Sequence, residues 1–356
     1  MATYNGATYL REQLASLAAQ TRPPDELVVT DDASTDATLA ILAEFAAAAP
    51  FPVRIHPNAV RLGYRANFMR AMALCQSDLI ALCDQDDVWE AGKIEAALQA
   101  FGDPETVLFF HDASLMDATG AASGPAGILS LPPRSAPLSF YPLMNPFGFS
   151  IVFRRSLLRF AEHWAISVDN VEAANRMAHD QWIFFLASVF GVIAYSDGRL
   201  VRYRQHGANA YGWKRRTGLR DRVIGLLNNN GGDHRQFARA AAGRAQVLRA
   251  ILAAPLTGRE REQAETCAAY YESLSRMLAL RSDIYLAPSP YRRALACTRL
   301  IRAGGYQRGK LWNIGPKALL KDVALALVFR PLMVRRTDRE ARAAEHIRRD
   351  VTNLSS

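Results

Sequence analysis

The 356-residue chain has only four cysteines, Cys75, Cys83, Cys267 and Cys297, and none stands in a CxxC spacing. That argues against a disulfide scaffold or a cysteine-based zinc framework and fits a reducing, cytoplasmic compartment. No apolar run is long enough to span a bilayer; the longest, Ile183–Tyr195, reads as core. The start, MATYNGATYLREQL, lacks the basic residues and apolar stretch of a secretory leader. No internal repeat is visible.

What is present is ordinary globular composition, 50% hydrophobic and 22% charged, enough for one to three domains. The net charge of +9 hides an asymmetry. Residues 1–213 carry 15 basic against 22 acidic side chains, and residues 214–356 carry 28 against 12. A basic second half of this kind suits a nucleic-acid or anionic-membrane partner, or a solvated basic helical surface.

Apolar, β-branched runs recur at 26–30 (ELVVT), 52–56 (PVRIH), 78–83 (DLIALC) and 106–111 (TVLFFH). Between them, Leu10, Leu14 and Leu17, then Leu39, Leu42 and Phe45, then Ile94, Ala97, Leu98 and Phe101 follow the helical period. The alternation predicts an α/β fold, a mostly parallel sheet with helices on both faces. Residues 120–146, rich in Gly, Pro and Ser, read as a long functional loop. FGFSIVFRRSLL reads as a strand entering a helix. HDQWIFFLASVFG reads as a buried helix beginning near Asp180, and VIAYSDGRLVRYRQHG as two short strands around a Ser-Asp-Gly turn. From Lys214 the pattern is helical, rich in Ala and Arg.

In an open α/β sheet, ligands bind beyond the carboxyl ends of the strands. ELVVT runs into Asp31, Asp32 and Ser34; PVRIH into Asn58, Gly63 and Asn67; DLIALC into Asp84, Asp86 and Asp87. The chain opens with Thr3-Tyr4-Asn5-Gly6 ahead of its first helix. Each cluster has a local reading as well: Ser34, Asp36 or Asn67 can cap a helix, and Gly63 can serve a turn. Three adjacent carboxylates exceed what one cap needs, and they repel one another. A Mg²⁺ or Mn²⁺ ion bound through one or two of them, with a diphosphate completing its shell, relieves that repulsion. Farther on, Asp180 stands at a helix start, His179 reads as structural, and His206 follows a strand, either a surface histidine or a metal ligand.

The ordered motifs TYNG, DDASTD, Asn58…Gly63…Asn67-Phe68, CDQDDVW, HDQW and YRQHGAN resemble those of family-two inverting glycosyltransferases of the GT-A fold. The likeness is to the rhamnosyltransferase-like branch of bacterial surface-polysaccharide biosynthesis, O-antigen included, and covers roughly residues 1–213. It implies that Thr3, Tyr4 and Asn5 line the nucleotide pocket, and that Asp32, with Asp31, accepts the pyrimidine imide N–H. It implies that Asn67 lies near the nucleotide or sugar. Asp84 and Asp86 form the DxD-type element, Asp86 the metal ligand and Asp84 towards the ribose or sugar. Asp180 matches the catalytic base, and His206 a position that contacts metal or diphosphate. Such an enzyme uses a nucleotide-sugar donor, here a dTDP- or UDP-sugar, in a single displacement.

One departure is that only Met1 and Ala2 precede Thr3, where that family places a full strand, so the GT-A domain at 1–213 is expected to begin with a truncated strand. Residues 214–356 are expected to form a basic helical region. Within it, 315–336 has Lys317, Lys321, Arg330, Arg335 and Arg336 between apolar turns, suiting a helix lying on anionic lipid or one packed on the catalytic domain. A lipid-bound position on the inner face of the plasma membrane fits a polyprenyl-diphosphate-linked acceptor. The rival enzyme reading, a sugar nucleotidyltransferase, calls for a basic glycine-rich loop where TYNGATYL stands. A nucleic-acid-binding reading finds no recognisable module.

Overall fold

A computed structural model describes residues 1–126, 131–207, 232–307 and 315–324. The chain divides into two compact units, Met1–Lys214 with Gly243–Ala269, and Arg215–Ala242 with Tyr270–Ser356. The region expected as one basic tail is thus shared between them.

The first unit opens as alternating strand and helix: β1 (Ala2–Thr3), α1 (Ala7–Ala18), β2 (Leu27–Asp31), α2 (Thr38–Ala48), β3 (Val53–Pro57) and α3 (Tyr64–Leu74). The three strands form a parallel sheet in the order β1-β2-β3, with Thr3 opposite Asp31 and Val29 opposite Ile55. α1 covers it because Leu10, Leu14 and Leu17 recur at the helical period and are buried against Leu27 and Val29. Parallel strands all end at the same edge, so Thr3, Asp31 and Asn58 emerge together.

A second sheet follows: β4 (Leu79–Ala81), β5 (Val88–Trp89), β6 (Thr106–Met116), β7 (Ala122–Pro125), β8 (Arg134–Ser135), β9 (Val152–Arg154) and β10 (Val192–Arg204). Its central order is β4-β9-β6-β10-β5, with β7 added on β6 and β8 on β10. β6 and β10 run parallel, while the other pairings in this sheet are antiparallel. The α/β architecture is therefore mixed rather than mostly parallel. Parallel pairing needs a long crossover; among the described residues between β6 and β9 there is no long helix, and β9 runs against β6.

α4 (Lys93–Ala100) precedes β6, and α5 (His179–Phe190) precedes β10. Ten of the twelve α5 residues are buried, as its apolar sequence requires. Gly191 alone joins α5 to β10, and a Cβ there would lie 2.4 Å from Val107. The chain reverses at that point, so the start of α5 and the end of β10 lie at the same edge. β10 is one strand of thirteen residues where two were expected. Its Ser-Asp-Gly segment is a bulge: pairing jumps from Ser196 opposite His111 to Arg199 opposite Asp112.

In the second unit lie the later part of α7 (Gly258–Leu286), α8 (Pro290–Arg302) and α9 (Gly315–Val323); α6 spans Gly232–Ile251. Ser289 caps α8, accepting from the Arg292 N–H, with Pro290 at the first helical position. Ile284, Tyr285, Cys297 and Leu300 form a core against which Leu319 and Val323 of α9 pack. Buried Asp322 accepts from Arg281 Nε and Nη2 at 2.9 and 3.0 Å and from the Tyr285 and Tyr306 hydroxyls. The described part of the expected lipid-facing helix thus packs its Leu319, Asp322 and Val323 face inside its own unit. Residues 325–336 of that expectation lie outside the described residues. Among the described residues no helix is long and apolar enough to cross a membrane.

Candidate active site

The edge where β1, β2 and β3 end is knitted by side chains. Asp31, fully buried, accepts from Thr3 Oγ1 at 2.7 Å, Ser34 Oγ at 2.6 Å and Ser34 N at 2.8 Å. Asp32 accepts from Asn58 Nδ2 at 2.8 Å and from the backbone N–H groups of Leu62 and Gly63 at 2.6 and 2.8 Å. Gly63 sits at φ 82°, a left-handed conformation that glycine adopts without strain, and so turns its N–H onto Asp32. Buried Asn67 donates to Thr30 O at 3.0 Å and Thr3 O at 3.3 Å and accepts from Asn58. Thr3, Asp31 and Asn67 therefore hold the three strand ends in register from behind. Tyr4 and Asn5 are the exposed members of this group, with Arg61 over the Tyr4 ring at 4.0 Å. Asn5 Oδ1 accepts from Thr35 N, drawing the loops after β1 and β2 together.

The aspartate loop lies between β4 and β5. Asp84 and Asp86 are half-buried and Asp87 fully buried. Burial pushes the Asp84 carboxyl up to about 7, with Asp86 and Asp180 adding repulsion. Asp87 is raised well above the usual carboxylate range by burial, then by Asp84 and Asp86. Its Oδ1 accepts from Arg204 N at 3.0 Å, and its Oδ2 has no hydrogen-bond partner among the described residues. Below the loop, buried Lys93 sits 3.6 Å from the Trp89 ring centroid and donates to Phe149 O. Burial lowers its ammonium to about 7.

β10 delivers the opposing charge. Arg204, 2% exposed, donates from Nε to Asp86 O at 2.8 Å, pairs with Glu12 of α1 and lies over the Tyr9 ring. Two residues on, His206 Nε2 is 2.8 Å from Asp86 Oδ2, and its ring lies 4.8 Å from that of Tyr9. Asp86 and His206, both expected at a metal, are thus in direct contact.

Asp180 lies at the start of α5. Its Oδ2 accepts from Asn145 Nδ2 at 3.1 Å and its Oδ1 from Gln181 N at 2.7 Å. Burial raises its carboxyl to about 6 despite those bonds. It is near enough to raise Asp84, so Asp180 and the aspartate loop share one site. His179 is stacked on Phe68 with centroids 3.7 Å apart; burial holds it neutral, down to about 3. That is a packing role.

A divalent cation fits this donor set, although among the described residues no three His, Cys, Asp or Glu side chains converge as a ready cage. Burial, and then repulsion among the neighbouring carboxylates, raises Asp84 and Asp87, and a bound cation would offset both. Asp86 and His206 offer a carboxylate oxygen and an imidazole nitrogen. Mg²⁺ and similar ions commonly take one or two carboxylates and complete their shell with phosphate oxygens and water.

Residues 1–159 match the family model described as glycosyl transferase family 2. The chain carries a glycosyl transferase family 2 domain, and it is a glycosyltransferase. It is 28% identical over 239 residues to the dTDP-rhamnosyl transferase RfbG of Shigella flexneri, covering 64% of this chain and 79% of that one. It is 32% identical over 212 residues to an uncharacterised protein of Mycobacterium tuberculosis, covering 57% of each. Among solved structures, S. aureus TarS 1–349, crystallised with UDP-GlcNAc, aligns with a TM-score of 0.51 at 17% identity, over 85% of this chain and 79% of that one. That likeness shows the GT-A-type fold alone.

Sequence reasoning singled out Asp180, Asp84, Asp86 and His206, and the structure brings them together. It missed Asn145, Gln85, Lys93 and Arg204. Arg204 could have been found: an arginine ending an apolar strand two residues before His206 must turn its guanidinium towards the same edge.

Proposed function

We propose that this glycosyltransferase moves a sugar, rhamnose from dTDP-L-rhamnose, onto a saccharide or polyprenyl-diphosphate-linked acceptor with inversion at the anomeric carbon. One observation carries the reading: the Asp180 carboxyl, raised to about 6, stands across from the aspartate loop in one site. The dTDP-rhamnosyl transferase relative supports the choice of donor. A role in surface-polysaccharide assembly follows from such a donor. The basic second half supports a peripheral position on an anionic inner membrane face.

In the reaction the acceptor oxygen bonds to the anomeric carbon as the bond to the diphosphate breaks. Asp180 takes the proton from the attacking hydroxyl, and a base with a carboxyl near 6 is ionised at neutral pH. Asn145 and the Gln181 N–H hold that carboxylate by one oxygen each, fixing its direction. Tyr4 and Asn5 form the exposed rim for the nucleotide, while Asp31, Asp32 and Asn67 brace it, and Asp84 faces the sugar side. Arg204 keeps the aspartate loop in place from β10. Asp86 and His206 would hold a Mg²⁺ or Mn²⁺ ion, which when bound would supply positive charge to the departing diphosphate.

The test is calorimetric titration with dTDP, UDP and GDP, each with and without Mn²⁺, on the intact chain and on Asp86→Ala. Mn²⁺-dependent binding of dTDP, lost in Asp86→Ala, is the expected result. Preference for GDP, or equal binding with and without metal, overturns the donor or the metal assignment respectively.

A further inference from the structure

The aspartate loop and the nucleotide loop are joined by one side chain. The Tyr4 N–H donates to Gln85 Oε1 at 2.8 Å, and Gln85 Nε2 donates to Tyr4 O at 3.1 Å. Gln85 thus pairs with the Tyr4 backbone much as a neighbouring strand would, across 81 positions of sequence. The space for this pairing exists because residue 6 has no side chain. A Cβ on Gly6 would stand 2.4 Å from Gln85 Oε1 and 2.6 Å from its amide carbon. β1 and β4 belong to different sheets, so no backbone ladder joins these two loops.

We infer that Gln85 is a positioning residue that fixes the spacing between the nucleoside-binding and diphosphate-binding parts of the donor site. This rests on the donor-site reading above. A nucleoside diphosphate spans both loops, from the Tyr4–Asn5 rim to Asp86. If the loops are held in register before binding, the ligand does not have to order them, and both ends bind at once. Neither Gln85 amide atom is then needed by the ligand itself.

The experiment measures dTDP affinity by calorimetry with Mn²⁺ and with EDTA, and takes the ratio as the metal-linked gain. Four forms of the intact chain are compared: wild type, Gln85→Ala, Gly6→Ala and the double variant. In Gln85→Ala the gain falls roughly three- to tenfold, the worth of one to two neutral hydrogen bonds, while affinity in EDTA changes little. Gly6→Ala, which displaces the amide without removing it, produces the same loss. The double variant loses no more than either single one, because both act through the same pairing. A gain that survives in Gln85→Ala while wild type shows one overturns the inference and leaves the donor site standing. Wild type showing no metal-linked gain overturns both. Equal weakening with and without metal means general loosening of the fold, and also refutes it. Should Gln85→Ala not fold, Gly6→Ala carries the test alone, with the same losing outcome.

Discussion

Replacing Asp180 by Asn separates chemistry from folding in one variant. The side chain keeps its size and its oxygen for the Gln181 N–H but can no longer hold a proton from the acceptor. Loss of a general base typically costs about 10²–10⁴-fold in rate, so kcat/KM falls by that factor with little change in donor binding. The wild-type pH profile is expected to fall tenfold per unit below about 6, where the Asp180 carboxyl protonates; that limb is absent in the variant. Stability moves the other way. Because the folded-state value is raised above the ordinary 3.8, the contribution to stability is fully present below about 4. It is lost as the pH rises through about 6. Two units amount to about 3 kcal/mol, and contact with solvent at this half-buried group reduces that to about 1–2 kcal/mol. Asp180→Asn should therefore be about 1–2 kcal/mol more stable than wild type in urea titrations at pH 7.5, and equal to it near pH 4. A variant with more than a tenth of wild-type activity, or a wild-type profile flat from pH 5 to 7, refutes Asp180 as the base.

Arg204→Met removes the bond to Asp86 O and the pairing with Glu12; it should cost about 2 kcal/mol in urea unfolding. It should also raise donor KM more than it lowers kcat, with Arg204→Lys intermediate. Ala33, directly after Asp32, is held at φ 61°, a left-handed conformation costly for any residue with a Cβ. Ala33→Gly should therefore stabilise the chain by about 1 kcal/mol, seen as a higher thermal midpoint with unchanged dTDP affinity.

The helices α1, α2, α4 and α5 and the strands β2, β3, β4 and β6 were legible in the sequence, because burial imposes either a helical period or a continuous apolar run. So was the position of Asp180, since an acidic residue before a wholly apolar helix can only lie at its start. What was not legible depends on pairings between distant segments. A Ser-Asp-Gly sequence serves a hairpin or a bulge equally, and only the partner strand decides: β6 continues past it, so β10 does not turn. The mixed direction of the second sheet was hidden for the same reason. For Asp31, Asp32 and Asn67 the resemblance implied places at the nucleotide, but their bonding within the protein was not legible, because short polar residues at strand ends serve ligands and local turns alike. Here their oxygens and amides are bonded to Thr3, Ser34, Asn58, Leu62 and Gly63. Lys93 and Arg204 went unnoticed because single charged residues in apolar patterns normally reach solvent.

The reversal at Gly191 places Asp180 and His206 on one helix–strand stretch, while the loop that carries Asn145 reaches Asp180 from outside it. On the proposed mechanism, the proton acceptor and the leaving-group side thus form a single cassette. On that mechanism, changes between β8 and β9 that spare Asn145, the residue bonded to Asp180, leave both ends of the cassette in place. Such changes would alter which acceptor hydroxyl is presented to Asp180 while leaving the proposed reaction itself intact.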